Sequence, residues 1–188
     1  SYTAIQQWFP AGENRAPFYS CIFDPVTSES CSWIIRKDDT LIFGGCFSPQ
    51  DSREAYNRQK SRLEEYLGHS LGRPIKTEAC QAVRPRGFSD FITGRDGVYL
   101  IGEAAGFISA SSFEGISSAI RSGSALAEAM SQADDDRELA RFYRRKTTSL
   151  RLKLWLKTIK RWFMYTPWVR HIIMRLGLAA IHVEQENK

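Results

Sequence analysis

The chain has 188 residues, with 26 Lys and Arg against 21 Asp and Glu, for a formal net charge of +5 at neutral pH. Hydrophobic residues make up 43% and charged residues 25%, values ordinary for a globular protein with core material for one to two domains. No apolar run approaches the roughly 18 residues of a transmembrane helix, and no secretory signal pattern is visible.

The first third reads as an antiparallel sheet. Segments 2–9, 17–23, 31–36 and 40–47 are short and rich in aromatic or β-branched residues. Turn-forming residues separate them at 10–14, at Asp24 and Pro25, and at Lys37, Asp38 and Asp39. Asp51 and Glu54 form a capping-box pattern ahead of a helix that ends near Leu67 and Gly68. The cysteines Cys21, Cys31, Cys46 and Cys80 show no C-x-x-C spacing, which predicts reduced, structural thiols.

Residues 69–97 lack strong periodicity and read as one return strand with loops around Arg73, Pro74, Pro85, Gly94 and Gly97. Arg84 and Arg86 are expected to be exposed, the functional alternative being approach to a phosphate or other anion. The stretch 98–130 carries the most information. Val98, Tyr99, Leu100 and Ile101 predict a short buried strand that runs into Gly102-Glu103-Ala104-Ala105-Gly106. Gly102 and Gly106 open backbone angles closed to other residues, and Glu103 can accept hydrogen bonds from sugar-type hydroxyls. A helix from about Gly115 would place Ile116, Ala119, Ile120, Gly123, Ala127 and Met130 on one apolar face. Its first turn carries unpaired N–H groups and about half a positive charge, which suits a partly anionic ligand. Packing alone could also explain the glycines of such a βα unit.

GEAAGFISASSFEGISSAIRSG resembles the second flavin-binding motif of FAD-dependent oxidoreductases of the geranylgeranyl reductase type, a group related to aromatic hydroxylases and flavin halogenases. The resemblance implies FAD as cofactor. It implies that Glu103 meets the ribityl chain, that Gly102, Ala104, Ala105 and Gly106 line the cofactor, and that Gly115 and Ile116 present N–H groups to the flavin ring. Glu103 stands where the family usually has Asp, Ala110 where it has a loop proline, and Phe113 where it has glycine. Ser32 to Lys37 is similar to the reductases' Tyr/Ser-x-Trp-x-Phe-Pro-Lys segment. By that likeness Trp33 and Lys37 become candidate substrate contacts, against a core tryptophan and a solvated turn lysine. The G-x-G-x-x-G turn that grips the ADP half of FAD occurs nowhere in the sequence.

The expected fold is therefore α+β: an antiparallel substrate-domain sheet (1–85), the C-terminal part of an FAD-binding α/β domain (86–135) and a basic helical tail (136–188), without the N-terminal glycine-rich βαβ unit. That is the layout of a C-terminal fragment of a larger enzyme, expected to be inactive and to retain FAD weakly or not at all if isolated. From Arg137 to Arg175 the tail holds twelve Lys and Arg and one acid, Glu138, a charge of +11 against −6 for the rest. Leu152, Trp155, Leu156, Ile159, Trp162 and Phe163 share one helical face, and Lys153, Lys157, Lys160 and Arg161 another. Thr166 and Pro167 restart a helix. The apolar faces either pack on the flavin domain or sit on an anionic membrane surface; no nucleic-acid module accompanies the charge.

The resemblance to geranylgeranyl reductases implies an FAD-dependent oxidoreductase reducing carbon–carbon double bonds of a hydrophobic substrate such as a prenyl lipid. Flavin monooxygenase or halogenase chemistry is the related alternative, and a flavin-free peripheral membrane or interaction fragment the non-enzymatic one. A cytoplasmic location is expected, with peripheral membrane attachment through the tail. No catalytic acid or base is assignable, since His69, His171 and His182 lie away from the flavin-like segment, and no metal-ligand cluster is evident.

Overall fold

The computed structural model describes residues 1–12, 19–28 and 30–177. Its first layer is a five-stranded antiparallel sheet in the order β2-β3-β4-β1-β5, from β1 (Tyr2–Pro10), β2 (Tyr19–Ile22), β3 (Ser32–Lys37), β4 (Thr40–Phe47) and β5 (Lys76–Ala82). Strand alternation puts Ile5, Phe9, Ile34, Leu41, Phe43 and Phe47 on one face. There they bury against Ala55, Tyr56 and Leu63 of α1 (Ser52–Leu67), and the Tyr56 hydroxyl donates to Gln7 Oε1 at 2.9 Å. Asp51 does not cap α1 with its side chain; the carboxylate is drawn to Arg58 at 3.2 Å, so the expected capping box does not form. Gly68 ends the helix in the left-handed conformation, as its lack of a Cβ allows. The expected turn over 10–14 and the start of the 17–23 strand lie partly outside the described residues, as does His182.

A second core gathers Phe91, Ala105, Phe107, Ala129, Tyr143 and Leu154. It joins α2 (Ile116–Met130), α3 (Asp136–Lys146) and α4 (Thr148–Tyr165), with α5 (Pro167–Arg175) following. The Tyr143 hydroxyl donates to the Leu100 carbonyl at 2.7 Å and ties the tail to the segment that leads into the glycine-rich turn. The chain is thus α+β throughout, as expected.

Three expectations are corrected. The 98–101 run is no buried strand: only β7 (Val98–Tyr99) forms, paired with β6 (Gly94–Arg95) in a two-stranded sheet, and Val98 is 64% exposed. An apolar strand is buried only when neighbours flank it, and β6 is the sole neighbour it has among the described residues. The face of α2 carrying Ile116, Ile120 and Met130 points outward, and Ser118, Ser122 and Ala129 are buried instead. Close backbone approach selects that face, because Ser122 Oγ accepts the Gly102 N–H at 2.9 Å and a Cβ on Gly102 would stand 3.0 Å from the Ala119 Cβ. Finally, the apolar stripe of α4 does not pack inward. Leu152, Leu156, Ile159, Trp162 and Phe163 are exposed, and α4 docks through Arg151, Leu154 and the partly buried Trp155.

Candidate functional site

Residues 102–105 form a 3-10 turn flanked by two left-handed glycines, Gly102 (φ +58°) and Gly106 (φ +77°). A Cβ on Gly106 would collide with the Asp90 carbonyl oxygen, so glycine is required there by both φ and space. Hydrogen bonds from Gly106 N to the Glu103 carbonyl and from Phe107 N to the Gly102 carbonyl, both 2.9 Å, close the turn. Gly102 and Ala105 are buried, and Glu103 and Ala104 face solvent. The Glu103 carboxylate makes no hydrogen bond or ion pair with any described residue. This exposed acceptor stands on an anchored turn.

Gly115 begins α2 without a side-chain cap, so the first-turn N–H groups have no capping acceptor among the described residues, and Ile116 at that end is 79% exposed. The Glu114 carboxylate next to it is engaged by side chains, Ser117 Oγ at 2.5 Å and Lys157 Nζ at 3.5 Å, which hold its pKa below the usual carboxylate range. The Gly102–Ser122 bond ties the turn of Gly102, Glu103, Ala104, Ala105 and Gly106 to α2, the helix that Gly115 and Ile116 open. Phe113, in the family's glycine position, adopts φ +55°, a strain of ~1–2 kcal/mol for a residue with a Cβ. Its ring is held by Tyr2 (5.5 Å, edge-on) and by the Arg84 guanidinium (4.5 Å).

Trp33 lies on the sheet face opposite α1. Its indole covers Gly44, where a Cβ would stand 2.8 Å from the ring, and its Nε1–H reaches Gln6 Oε1 at 2.8 Å. Gln6 and Tyr2 share that face of β1 four residues apart, about 13 Å. Trp33 and the Phe113 loop thus look onto the same side of the sheet. Lys37 does not join them: it sits exposed at the hairpin end of β3, paired with Thr40 and beyond Pro10.

Arg84, expected in solvent, is only 6% exposed. Its guanidinium packs against Tyr2 (4.5 Å), Phe113 (4.5 Å) and Tyr165 (5.5 Å), and Nη1 reaches the Tyr2 hydroxyl at 3.4 Å. Nε and Nη2 have no hydrogen-bond partner among the described residues. Burial lowers its pKa, as does nearby Arg161. The periodicity of 69–97 carried no signal for this burial, which depends on rings from β1, the 107–115 loop and α4. Cys46 is likewise buried on this side, and burial raises its thiol to about 12, which leaves it protonated and unsuited to redox exchange. Cys21 behaves otherwise. Hydrogen bonding from Cys31, opposed by burial and helped by Tyr19, lowers it to about 6, although all four cysteines are free thiols. The spacing of Cys21 and Cys31 in sequence hides this pairing, which the β2–β3 hairpin creates.

A wider cleft of about 780 Å³ opens on the α1 side, between Ile22, Ile34, Leu63 and Tyr66. It lies on the opposite sheet face from the glycine-rich turns. No group of three His, Cys, Asp or Glu side chains able to hold a metal occurs among the described residues.

This architecture matches part of the fold of a reductase-like protein and of a flavin-dependent halogenase. A geranylgeranyl bacteriochlorophyll reductase-like protein from Thermoplasma acidophilum superposes with a TM-score of 0.72, covering 98% of this chain and 49% of that one at 14% identity. A tryptophan 6-halogenase from Streptomyces toxytricini gives 0.54 over 76% of this chain and 28% of its own, at 16% identity. In sequence the chain is similar to the protein CbrA of Escherichia coli O6:H1 (strain CFT073), 42% identical over 180 residues that cover 96% of this chain and 48% of that protein. CbrA of Shigella sonnei is also 42% identical over 180 residues. The chain spans about half the length of the curated relatives it matches. No family model matches the sequence.

Proposed function

We propose that this chain forms the ring-side and substrate-side part of an FAD-dependent oxidoreductase that reduces carbon–carbon double bonds of an apolar, lipid-like substrate. The observation carrying the reading is the exposed Glu103 carboxylate, unpaired among the described residues, on a glycine-bounded turn tied to α2, whose start is uncapped. Those groups match a flavin's two needs: an acceptor for ribityl hydroxyls and N–H donors for a ring edge that gains negative charge on reduction. The bound flavin would supply hydride chemistry. Glu103 would orient the ribityl chain, and the first-turn N–H groups of α2 would stabilise charge. The Trp33 side of the sheet would give the substrate a water-poor wall.

Titration of riboflavin and FAD against the chain, read by quenching of flavin fluorescence, tests the assignment. Saturable quenching is expected, and Glu103→Ala should weaken it by roughly tenfold or more, the loss of a hydrogen bond to a charged group. Absence of saturable quenching would remove flavin from the account and leave the non-enzymatic reading. Halogenation remains the competing chemistry on the same fold; a saturated product from a polyene, with no halide consumed, separates the two.

The tail favours a lipid-like substrate. Trp162 and Trp168 are 56% and 64% exposed beside Leu156, Ile159 and Ile172, with Lys153 and Lys160 close in sequence. Exposed tryptophans interleaved with lysines suit the interface of an anionic bilayer, at about 1 kcal/mol per basic residue near the surface. Among the described residues no helix is long and apolar enough to cross a membrane. Attachment would therefore be peripheral.

A further inference from the structure

Arg84 is a buried cation with no acidic partner among the described residues. A buried charge persists only when something compensates it, and removing a partner from such a charge is strongly destabilising. The three aromatic rings compensate the faces of the guanidinium through cation–π contact. They cannot satisfy the N–H groups at its edge, and Nε and Nη2 find no partner among the described residues. Arg84 also lines a cavity of about 320 Å³ together with Arg86, Arg161, Tyr2, Ser48 and Gln50. No acidic side chain is among the described residues lining it. Arg161 comes from α4 and Arg86 from the crossing segment, so distant parts of the chain bring three cations to one cavity, and the Arg161 charge opposes that of Arg84.

We propose that this cavity binds a phosphate monoester. Guanidinium groups match tetrahedral oxyanions with paired N–H donors, and a phosphate at nearly two negative charges offsets more of a triple positive charge than a carboxylate does. Phe113 belongs both to the Arg84 stack and to the loop leading into α2. The anion is therefore held beside the turns assigned to flavin, and calling it the charged end of the substrate rests on that assignment. The oxyanion site itself does not.

The test uses the 188-residue chain without flavin, titrated calorimetrically with inorganic phosphate, dodecyl phosphate and dodecanol at constant ionic strength. Binding of both phosphates, with dodecanol at least tenfold weaker than dodecyl phosphate, is expected. Dodecyl phosphate binding more tightly than inorganic phosphate identifies a lipid-type headgroup; equal affinities identify free phosphate; either supports the site. Arg161→Gln and Arg86→Gln, at less buried positions, should each weaken phosphate binding by roughly tenfold, as loss of a charge-assisted hydrogen bond implies. Arg84→Lys keeps the charge but loses the planar fork, and should weaken it as much. Phosphate binding unchanged in all three variants would overturn the proposal, as would no detectable binding of either phosphate. Because no flavin is present, phosphate binding with a failed riboflavin titration would sink the flavin reading alone, and the reverse would sink this one alone.

Discussion

Alanine at Gly106 should damage the protein where alanine at Gly123, seventeen residues on, should help it. Gly106 has φ +77°, which costs a residue with a Cβ about 1–2 kcal/mol. Its added methyl would also strike the backbone carbonyl of Asp90, which cannot rotate away as a side chain end could. Forced overpacking of this kind adds about 1–3 kcal/mol. The expected loss is therefore ~2–5 kcal/mol, a large share of the ~5–15 kcal/mol typical of a folded chain. Gly123 lies inside α2, and its added methyl would meet the Ile101 Cδ1 at 3.8 Å, an ordinary contact. Alanine there should gain up to about 1 kcal/mol from helix propensity. Urea unfolding followed by circular dichroism gives both numbers. Equal effects of the two substitutions, or a Gly106→Ala protein within 0.5 kcal/mol of the parent, would refute the tight turn that positions Glu103.

Ser122→Ala removes the acceptor of the buried Gly102 N–H and should destabilise by about 1–3 kcal/mol in the same assay, with weaker riboflavin quenching as the turn loosens. Cys21 should react with iodoacetamide as a thiolate that forms as pH rises through about 6, so its rate should level off near pH 7 while an ordinary cysteine still accelerates. Peptide-resolved mass spectrometry reads this, and Cys31→Ala, which removes the main hydrogen bond, should move the plateau upward. For the tail, co-sedimentation with anionic vesicles should exceed that with neutral ones and fall when Trp162 and Trp168 are both changed to Ala. Equal recovery with both vesicle types would count against membrane attachment.

The local elements were legible in the sequence because they rest on local rules. Short runs rich in aromatic and β-branched residues between turn formers marked β1, β3 and β4, Gly68 and the Thr166–Pro167 pair marked helix ends, and the run from Gly102 to Gly123 suggested flavin-binding turns through its resemblance to a known motif, glycine spacing alone leaving packing open. Tertiary structure decided which face of each element is covered. Ile116 and Ile120 look like core by periodicity, yet the small face with Ser118 and Ser122 is buried, because the Gly102 backbone comes too close to admit larger side chains. The tail stripe from Leu152 to Phe163 stays outside for a related reason: α4 is anchored by Leu154 and Arg151 on its other side. Arg84 is the plainest case. Any arginine between prolines and glycines reads as solvated, and only rings arriving from β1, the Phe113 loop and Tyr165 of α4 could bury its charge. Such contacts join residues as much as 82 positions apart, a separation at which spacing along the chain carries no information.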